Sequence, residues 1–326
     1  MAQIELPFSL QGRRVWVAGH QGMVGSALVR RLASEQCELL TVSRRELDLR
    51  RQSDVESWMR AQRPEAIFMV AARVGGILAN DRHPADFLYD NLALQTNIAQ
   101  AAVETGVKKF LFLGSSCIYP RMAPQPIQEA SLLTGALEPT NRWYAIAKIA
   151  GLMQCQAYRI QYGLDFISAM PTNLYGPGDN FDPEASHVLP ALMRRFHGAK
   201  IDGQPQVAIW GTGTPRREFL HVDDCADALV FLLKHYSEVD TINIGTGVDI
   251  PIIELARLVA DAIGYPGDIV LDTSKPDGTP RKLLDVSKLT ALGWRPHIGF
   301  REGIAQAYGW LVEQLAQGHP PRGFSG

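Results

Sequence analysis

The chain has 326 residues, of which 46% are hydrophobic and 20% charged, and its formal net charge is −2 at pH 7. These values are typical of a globular protein with a large core, and they argue against nucleic acid or an anionic membrane as its partner. Because no signal-like leader and no apolar run of membrane-spanning length is visible, we expect a cytoplasmic protein without a membrane partner. The four cysteines lack metal-ligand spacing, so we expect reduced thiols and no metal site.

Short apolar strands alternate with helical patterns in the first half of the chain. Strands are predicted over residues 14–18, 39–42, 66–71 and 109–113, and helices over 22–32, 53–61 and 86–105. Ser53, with Glu56 three residues later, is predicted to cap the second helix. Fully apolar strands between helices are typical of a parallel sheet that is covered on both faces.

The second half of the chain has shorter and less regular elements. A helix is predicted over residues 144–162 and a strand over 166–170, and the breaker-rich residues 177–183 then indicate a domain boundary. Beyond this boundary, helices are predicted near 188–197 and 223–234, after 251 and near 301–315, and strands near 207–210 and 241–244.

Three glycines separate the first strand from the first helix, in the pattern Gly19-x-x-Gly22-x-x-Gly25. Glycines permit a tight turn and the close approach of the backbone to a pyrophosphate, whose charge is stabilised by the amides and dipole of the helix N-terminus. A glycine turn without a ligand is the alternative. The position between a strand and a helix favours a dinucleotide site.

The second strand is followed by Ser-Arg-Arg at residues 43–45, where an NAD-binding protein carries an acid for the ribose 2′-hydroxyl. A guanidinium group matches the 2′-phosphate of NADP(H) instead, and we assign this contact to Arg44. A solvated pair of basic side chains is the alternative.

A serine, a tyrosine and a lysine are spaced as carbonyl reduction requires. Ser115 follows the fourth strand, and Tyr144 and Lys148 lie one turn apart on one face of a predicted helix. A nearby ammonium is expected to lower the pKa of the tyrosine, which could then protonate an alkoxide formed by hydride addition, while Ser115 binds the same oxygen. The alternative is an aromatic residue beside a snorkelling lysine.

Cys117 lies two residues beyond Ser115. A thiol can exchange protons near neutral pH, but free cysteines are usually buried small hydrophobes. Position alone leaves both interpretations of Cys117 open. Cys37, Cys155 and Cys225 are expected to be buried thiols of the ordinary kind.

Several longer strings then carry a resemblance over nearly the whole chain. They are Gly-Ser-Ser-Cys-Ile-Tyr-Pro at 114–120, Glu-Pro-Thr-Asn at 138–141, Pro-Thr-Asn-Leu-Tyr-Gly-Pro at 171–177, Ser-His at 186–187, and the segments 210–224 and 275–285. With them the chain resembles the extended short-chain dehydrogenase/reductases that act on nucleotide sugars, and within that superfamily the GDP-L-fucose synthases.

The resemblance implies an activity with two kinds of step. GDP-4-keto-6-deoxy-D-mannose would be epimerised at C3 and C5 and then reduced by NADPH at C4, giving GDP-L-fucose. It implies that Cys117 is the base and His187 the acid of the epimerisations, and that Tyr144 supplies the proton at C4. Related sugar 4,6-dehydratases carry an Asp-Glu pair where this chain has Ser116 and Cys117. The alternatives are another NADP-dependent nucleotide-sugar epimerase or reductase, and a non-catalytic NADP-sensing protein.

The resemblance also implies an architecture and two binding sets. We expect an α/β protein in which a doubly wound parallel sheet (Rossmann) over 1–178 and about 216–248 binds NADP(H), and a smaller α/β domain over about 179–215 and 249–326 binds the GDP-sugar. A homodimer through the helices near 86–105 and 144–162 is expected. The predicted cofactor contacts are Gly19, His20, Gln21, Gly22, Met23, Val24, Gly25, Arg44, Leu113, Gly114, Ser115, Ser116, Lys148, Pro171, Thr172, Asn173, Leu174 and His187.

The predicted substrate contacts are Arg195, Trp210, Arg217 and Asp277. Each of the two arginines has an arginine directly before it, so a solvated helix residue at 195 and a shift of one position at 217 stay open. Lys275, Arg281 and Lys282 are assigned no role.

Overall fold

A computed structural model describes residues 8–275 and 277–324 of the chain. The expectation about a leader in residues 1–7, and Pro276 of the 275–285 string, lie outside this part. The strands are β1 (Arg14–Ala18), β2 (Glu38–Leu40), β3 (Ala66–Met69), β4 (Lys109–Leu113), β5 (Phe166–Pro171), β6 (Asn173–Tyr175), β7 (Gln206–Trp210), β8 (Arg216–His221), β9 (Ile242–Ile244), β10 (Asp249–Pro251), β11 (Asp268–Asp272) and β12 (Arg281–Lys282). The α-helices are α1 (Met23–Leu32), α2 (Gln52–Gln62), α3 (Ile77–Arg82), α4 (Pro84–Thr105), α5 (Arg142–Tyr162), α6 (Val188–Ile201), α7 (Val222–His235), α8 (Ile252–Ile263), α9 (Ser287–Ala291) and α10 (Phe300–Ala316).

A parallel sheet in the order β2-β1-β3-β4-β5-β9 forms the centre of the molecule. Side chains alternate between its two faces, so that Val15 and Val17 of β1 enter one core and Trp16 enters the other. Helices α1 and α7 contribute Leu28 and Leu229 to the first core. Helices α2, α4 and α5 cover the opposite face. The predicted α/β fold with a parallel sheet covered on both faces is confirmed.

Smaller sheets and a third core complete the structure. Strand β8 pairs with β6, β10 and β12, and β7 pairs with β11. The third core lies between helices α6, α8 and α10, with Phe196, Val259 and Leu311 at its centre. The path of the chain crosses between the two parts, because β9 joins the central sheet while β8 and β10 pair outside it.

Most element predictions agree with the structure within a few residues, and β1 and β4 have the predicted bounds. The capping role of Ser53 is wrong: α2 begins at Gln52, Arg51 is its N-cap without a side-chain hydrogen bond, and the Ser53 hydroxyl lies 3.2 Å from Asp54 Oδ1. Strand β8 was not predicted, because its first three residues, Arg216, Arg217 and Glu218, are charged and resemble a loop.

In the described ranges, no helix is both long and apolar enough to span a lipid bilayer.

Candidate active site

The glycine turn after β1 has a shape that a dinucleotide requires. Gly19 has φ of +101°, and a Cβ there would lie 2.7 Å from backbone atoms of Ala71. A Cβ on Gly25 would lie 2.0 Å from the Gly19 carbonyl oxygen, so this glycine permits α1 to pack against the turn. Gly22 caps α1 in extended conformation, and a Cβ there would meet nothing closer than 3.5 Å. The turn and the helix N-terminus thus form a cradle that fits a pyrophosphate.

The remaining predicted residues of this cradle belong to the turn itself or to the first turn of α1. His20 and Gln21 lie in the turn, and Met23 and Val24 begin the helix.

The acidic residues that follow β2 already have hydrogen-bond partners. Ser43 donates its amide and hydroxyl to Glu46 at 3.1 and 2.7 Å, and the Arg50 guanidinium lowers the pKa of Asp48 to about 2. The Arg44 side chain is exposed beside them. A cation is therefore presented at the ribose end of the cradle.

Replacing Gly25 by alanine is expected to weaken NADPH binding about tenfold or more, because overpacking of this severity costs roughly 1–3 kcal/mol. The added methyl group would collide with Gly19 and push α1 away from the turn. Titration of NADPH by fluorescence or calorimetry measures the change. As a control, Gly309→Ala lies at an exposed position of α10 with no heavy atom within 4 Å of the new Cβ, and it should leave NADPH affinity unchanged. Wild-type affinity in Gly25→Ala would contradict the prediction.

Ser115, Tyr144 and Lys148 meet at the carboxyl end of β4. Ser115 caps the short 3-10 turn Ser116–Ile118, with its hydroxyl accepting from the Cys117 amide at 3.2 Å. Tyr144 lies in the first turn of α5, near enough for a hydrogen bond with the Ser115 hydroxyl to act on its pKa. The Lys148 ammonium donates to the Leu113 carbonyl at 2.8 Å and lies 5.9 Å from the centre of the Tyr144 ring.

The acid–base balance of this group differs from the expectation. Burial raises the pKa of Tyr144 above its ordinary value, the charge of Cys117 adds to this, and the Ser115 hydroxyl opposes it. Burial also lowers the pKa of Lys148 to about 7. The predicted lowering of the tyrosine pKa is therefore wrong in this structure, because desolvation and the charge of Cys117 outweigh the hydrogen bond with Ser115. The phenol remains protonated at neutral pH and is suited to donate a proton.

Cys117 is half-buried, and its sulfur has two nitrogen neighbours. Asn141 Nδ2 lies 3.3 Å from Cys117 Sγ, and Lys282 Nζ lies 3.6 Å from it. The sequence analysis gave Lys282 no role. The structure brings Lys282 to the sulfur across 165 residues of sequence.

The other cysteines lie in apolar surroundings. Cys155 and Cys225 are buried as expected, and burial raises the pKa of both thiols. Cys37 is only half-buried, which corrects the expectation of full burial, and desolvation raises its pKa as well. Among these four residues, Cys117 is the one with a cation beside its sulfur.

His187 is the residue before α6, where its side chain keeps an exposed edge. The imidazole is nevertheless surrounded closely enough that desolvation lowers its pKa, and the positive charge of Lys282 lowers it further. The influence of Lys282 thus reaches both the thiol and the imidazole to which the sequence assigned proton transfer.

The choice between Arg216 and Arg217 is decided by their neighbours. The Arg216 guanidinium donates to Asp249 Oδ1 at 2.8 Å, and Asp249 is buried. Arg217 is half-buried, donates to the Arg216 carbonyl oxygen at 2.8 Å, and experiences the negative charge of Glu138. Arg216 is therefore engaged in a structural ion pair with Asp249, and Arg217, the next residue of β8, lies on the opposite face of the strand.

Three further predicted substrate residues lie around β7. Arg195 on α6 is exposed and donates to the Ala208 carbonyl, and Trp210 at the end of β7 is 59% exposed. Asp277 accepts hydrogen bonds from the amide and hydroxyl of Thr212 at 2.9 and 2.7 Å, which fastens its loop to the turn after β7. An exposed aromatic ring, a cation and a fastened carboxylate are thus grouped at one strand end.

The segment 171–174 links the central sheet to the outer one. Thr172 and Asn173 donate side-chain hydrogen bonds to the Glu218 carbonyl oxygen at 3.3 and 2.8 Å. The Glu218 carboxylate is buried and accepts the amides of Thr246, Gly247 and Leu284 at 2.7, 2.7 and 2.9 Å. Sequence analysis missed this residue, since a glutamate in a charged string carries no sign of burial. It ties together the strand ends that face the cofactor cradle and the thiol.

Comparisons with known proteins identify the family of this chain. Residues 15–245 match the model of the NAD dependent epimerase/dehydratase family. The chain is 59% identical to the GDP-L-fucose synthase of Sinorhizobium fredii, over 95% of this chain and 98% of the relative. It is also similar to the crystal structure of a GDP-L-fucose synthetase from Naegleria fowleri bound to NADP, with 29% identity, a TM-score of 0.89, and coverage of 97% of this chain and 99% of the other.

A further structural relative has a different substrate. It is a GDP-6-OMe-4-keto-L-xylo-heptose reductase from C. jejuni, with 37% identity, a TM-score of 0.88, and coverage of 93% of this chain and 98% of the other. All three relatives and the family model cover most of the chain. The chain therefore belongs to the NAD dependent epimerase/dehydratase family, in the group that contains the GDP-L-fucose synthases.

Proposed function

We propose that this protein is a GDP-L-fucose synthase, which epimerises GDP-4-keto-6-deoxy-D-mannose at C3 and C5 and reduces it at C4 with NADPH. The observation that carries the proposal is the thiol of Cys117 beside the Ser115 and Tyr144 hydroxyls at one strand end. Reduction alone needs the hydroxyls, whereas a thiol with a cation beside it adds a base for carbon acids. The high identity to GDP-L-fucose synthases over nearly the whole chain supports the same conclusion.

In the epimerisation, Cys117 removes the proton from C3 or C5, next to the C4 ketone, and His187 returns a proton on the other face. The ketone makes these protons acidic, because the negative charge that remains is delocalised onto its oxygen. Ser115 and Tyr144 hold that oxygen by hydrogen bonds, which stabilise the charge as it develops. The lowered pKa of His187 makes its protonated form a readier proton donor.

In the reduction, bound NADPH supplies a hydride to C4. Tyr144, which burial keeps protonated, gives its phenolic proton to the oxygen of C4. Lys148 is held by the Leu113 carbonyl near the Tyr144 ring, from which it orients the cofactor ribose and limits the charge left on the phenolate. The glycine cradle holds the pyrophosphate, and the segment 171–174 lies beside the strand end for contact with the nicotinamide.

The GDP-sugar is held by residues of the outer sheet. Arg217 and Arg195 bind the diphosphate, since guanidinium groups can bind two oxygens at once. Trp210 packs on the ligand, and Asp277 accepts hydrogen bonds from it. This assignment divides the chain into an NADP-binding domain (1–178 and about 216–248) and a GDP-sugar domain (about 179–215 and 249–326). Arg217, which is not the arginine that binds Asp249, and the exposed Trp210 support it.

The protein is a cytoplasmic homodimer in this proposal. Exposed apolar side chains on α4 and α5 support the dimer: Tyr89, Ile160 and Tyr162 are 64%, 75% and 53% exposed. Helices α4 and α5 pack on each other, so that a second copy could cover both at once. Sedimentation of the purified protein measures the oligomeric state.

An assay with a defined substrate tests the proposed function. The purified protein is incubated with GDP-4-keto-6-deoxy-D-mannose and NADPH in deuterated water, and the product is identified by NMR. We expect GDP-L-fucose with deuterium at C3 and C5. A product reduced at C4 without deuterium would favour the second candidate, a C4 reductase like the C. jejuni relative. Failure to oxidise NADPH would exclude both.

Replacing Arg44 by alanine is expected to weaken NADPH binding about tenfold or more and to leave NADH binding nearly unchanged, because only NADPH carries the 2′-phosphate. Competitive titrations of both dinucleotides measure the ratio. Arg301, an exposed arginine in the first turn of α10, provides a matched control, and Arg301→Ala should preserve the wild-type preference. Equal losses for NADPH and NADH in Arg44→Ala would contradict the assignment.

A further inference from the structure

The sulfur of Cys117 is in contact with side chains from two distant segments. Asn141 Nδ2, from the residue before α5, lies 3.3 Å from Sγ, and Lys282 Nζ, from β12, lies 3.6 Å from it. An ammonium and an amide NH₂ both donate hydrogen bonds and do not accept them at nitrogen. The sulfur therefore faces two donors, one of which is charged.

The position of Lys282 is set by the pairing of β12 with β8. Lys282 lies opposite Arg217, and Arg281 lies opposite Arg216. Successive side chains of a strand point to opposite faces. Arg216 and Arg281 bind the two carboxylate oxygens of buried Asp249 at 2.8 and 2.5 Å, so Lys282 and Arg217 point to the other face. We call Asp249 with Arg216 and Arg281 the Asp249 clamp.

The charge of Lys282 also acts on His187. Burial lowers the pKa of the His187 imidazole most, and the positive charge of Lys282 lowers it further. A positive charge near a thiol and an imidazole has opposite consequences for their charged forms: it stabilises a thiolate and destabilises an imidazolium. The same cation therefore increases the fraction of the thiol that is present as the reactive thiolate, and it makes the protonated acid a better donor.

The other charged groups near the thiol have different partners. Lys148 donates to the Leu113 carbonyl, and burial lowers its pKa to about 7. Tyr144 remains protonated because burial raises its pKa. Arg217 acts with Glu138, which also forms an ion pair with Arg121 at 3.3 Å. These contacts leave Lys282 as the cation that touches the sulfur.

We propose that Lys282, held in register by the Asp249 clamp, is a catalytic residue of the epimerisation, where its ammonium keeps Cys117 as the thiolate. The thiolate takes a proton from the carbon next to the ketone, and the electron pair of that C–H bond passes into the enolate. Lys282 keeps its own proton throughout. This inference depends on the proposed function for the identity of the carbon acid.

The test measures the reactivity of the thiol itself and needs no substrate. The rate of iodoacetamide alkylation at Cys117 is followed between pH 6 and 9 by mass spectrometry of its peptide. In Lys282→Met and Lys282→Gln, we expect a rate about tenfold lower at pH 7, which corresponds to a shift of one unit in the pH profile. Lys282→Arg keeps the charge and should stay within about threefold of wild type. Cys37, half-buried before β2, reports in the same digests on any general change in reactivity.

A second measurement uses the reaction. The rate of deuterium incorporation should rise with pH as the thiolate forms and fall as His187 loses its proton. Without the cation, both limbs should move to higher pH in Lys282→Met and Lys282→Gln, and neither should move in Lys282→Arg. A merely structural role of Lys282 would lower the rate without moving the profile.

Unchanged alkylation of Cys117 in both neutral variants would overturn the inference, as would a Lys282→Arg variant that is as slow as Lys282→Met. Circular dichroism verifies that each variant is folded. Methionine and glutamine differ in polarity, so we expect at least one of the two neutral variants to fold. A wild-type protein that makes no GDP-L-fucose, yet shows the alkylation shift, would refute the proposed function and leave the Cys117–Lys282 pair intact.

Discussion

Tyr144→Phe is expected to reduce the rate of NADPH oxidation by about 10²–10⁴-fold, the usual contribution of a positioned general acid. The substitution removes the phenolic proton that we assign to the oxygen of C4 and leaves the ring in its place on α5. Solvent deuterium should still enter C3 and C5, more slowly than in the wild type, because Cys117 and His187 are unchanged and the Ser115 hydroxyl still holds the oxygen of C4. Stopped-flow absorbance measures the first process, and NMR in deuterated water measures the second.

The same substitution on the same helix provides the control. Tyr158 donates its hydroxyl to Gln100 Oε1 at 2.7 Å, and Tyr158→Phe should cost about 1 kcal/mol in stability without changing the rate of NADPH oxidation. If Tyr144→Phe lost deuterium exchange together with reduction, the epimerisation and the reduction would not be separable at this residue. Wild-type reduction in Tyr144→Phe would remove it from the mechanism.

Cys117→Ser is expected to reduce deuterium incorporation at C3 and C5 by about 10²–10⁴-fold, since a serine hydroxyl is a far weaker acid than a thiol and yields no comparable base near neutral pH. The hydroxyl is close in size to the thiol, so the change should perturb packing little. Reduction at C4 should continue slowly on the unepimerised sugar, because Ser115, Tyr144 and Lys148 remain. The product would then be a GDP-6-deoxyhexose without deuterium at C3 and C5.

Cys37→Ser is the matched control for this change. Its sulfur is half-buried between α1 and β2, away from the strand ends that carry the site, and deuterium incorporation should equal that of the wild type. Wild-type incorporation in Cys117→Ser would show that another group removes the protons. Loss of both incorporation and slow reduction would indicate that the substitution disturbs the site as a whole.

Together, the two variants separate the proton exchange at C3 and C5 from the reduction at C4. Tyr144→Phe should stop after the carbon acids have exchanged, and Cys117→Ser should bypass that exchange. A single site that carries both tasks explains why the thiol, the phenol and the serine hydroxyl lie at the end of one strand.

Local spacing was sufficient for a large part of the fold and of the site. The turn of Gly19, Gly22 and Gly25 lies between a strand and a helix, and Tyr144 and Lys148 share one helical face, as predicted. Strand β4 has the predicted bounds because Lys109 is followed by four apolar residues, after which the chain turns polar. Such signals survive in one sequence because they depend on neighbours within a few residues.

Predictions that depended on distant groups were less successful. Ser53 matched a capping pattern, yet α2 begins one residue before it. The pKa of Tyr144 moves opposite to the expectation, because burial of the phenol raises it. Strand β8 begins with charged residues. It forms a strand because its backbone pairs with β6, β10 and β12, and because Asp249 binds the Arg216 guanidinium.

The sequence by itself determined the α/β class, the dinucleotide turn and the set of Ser115, Cys117, Tyr144 and Lys148, all of which follow from periodicity, from short spacing or from a resemblance. The tertiary structure decided which arginine of the pair 216–217 binds Asp249 and which cation touches the thiol. Both answers come from the register of β8 with β10 and β12, which are joined by long stretches of chain. The energy of such charge contacts depends on the distance between the groups in space, which cannot be read from their separation in the sequence.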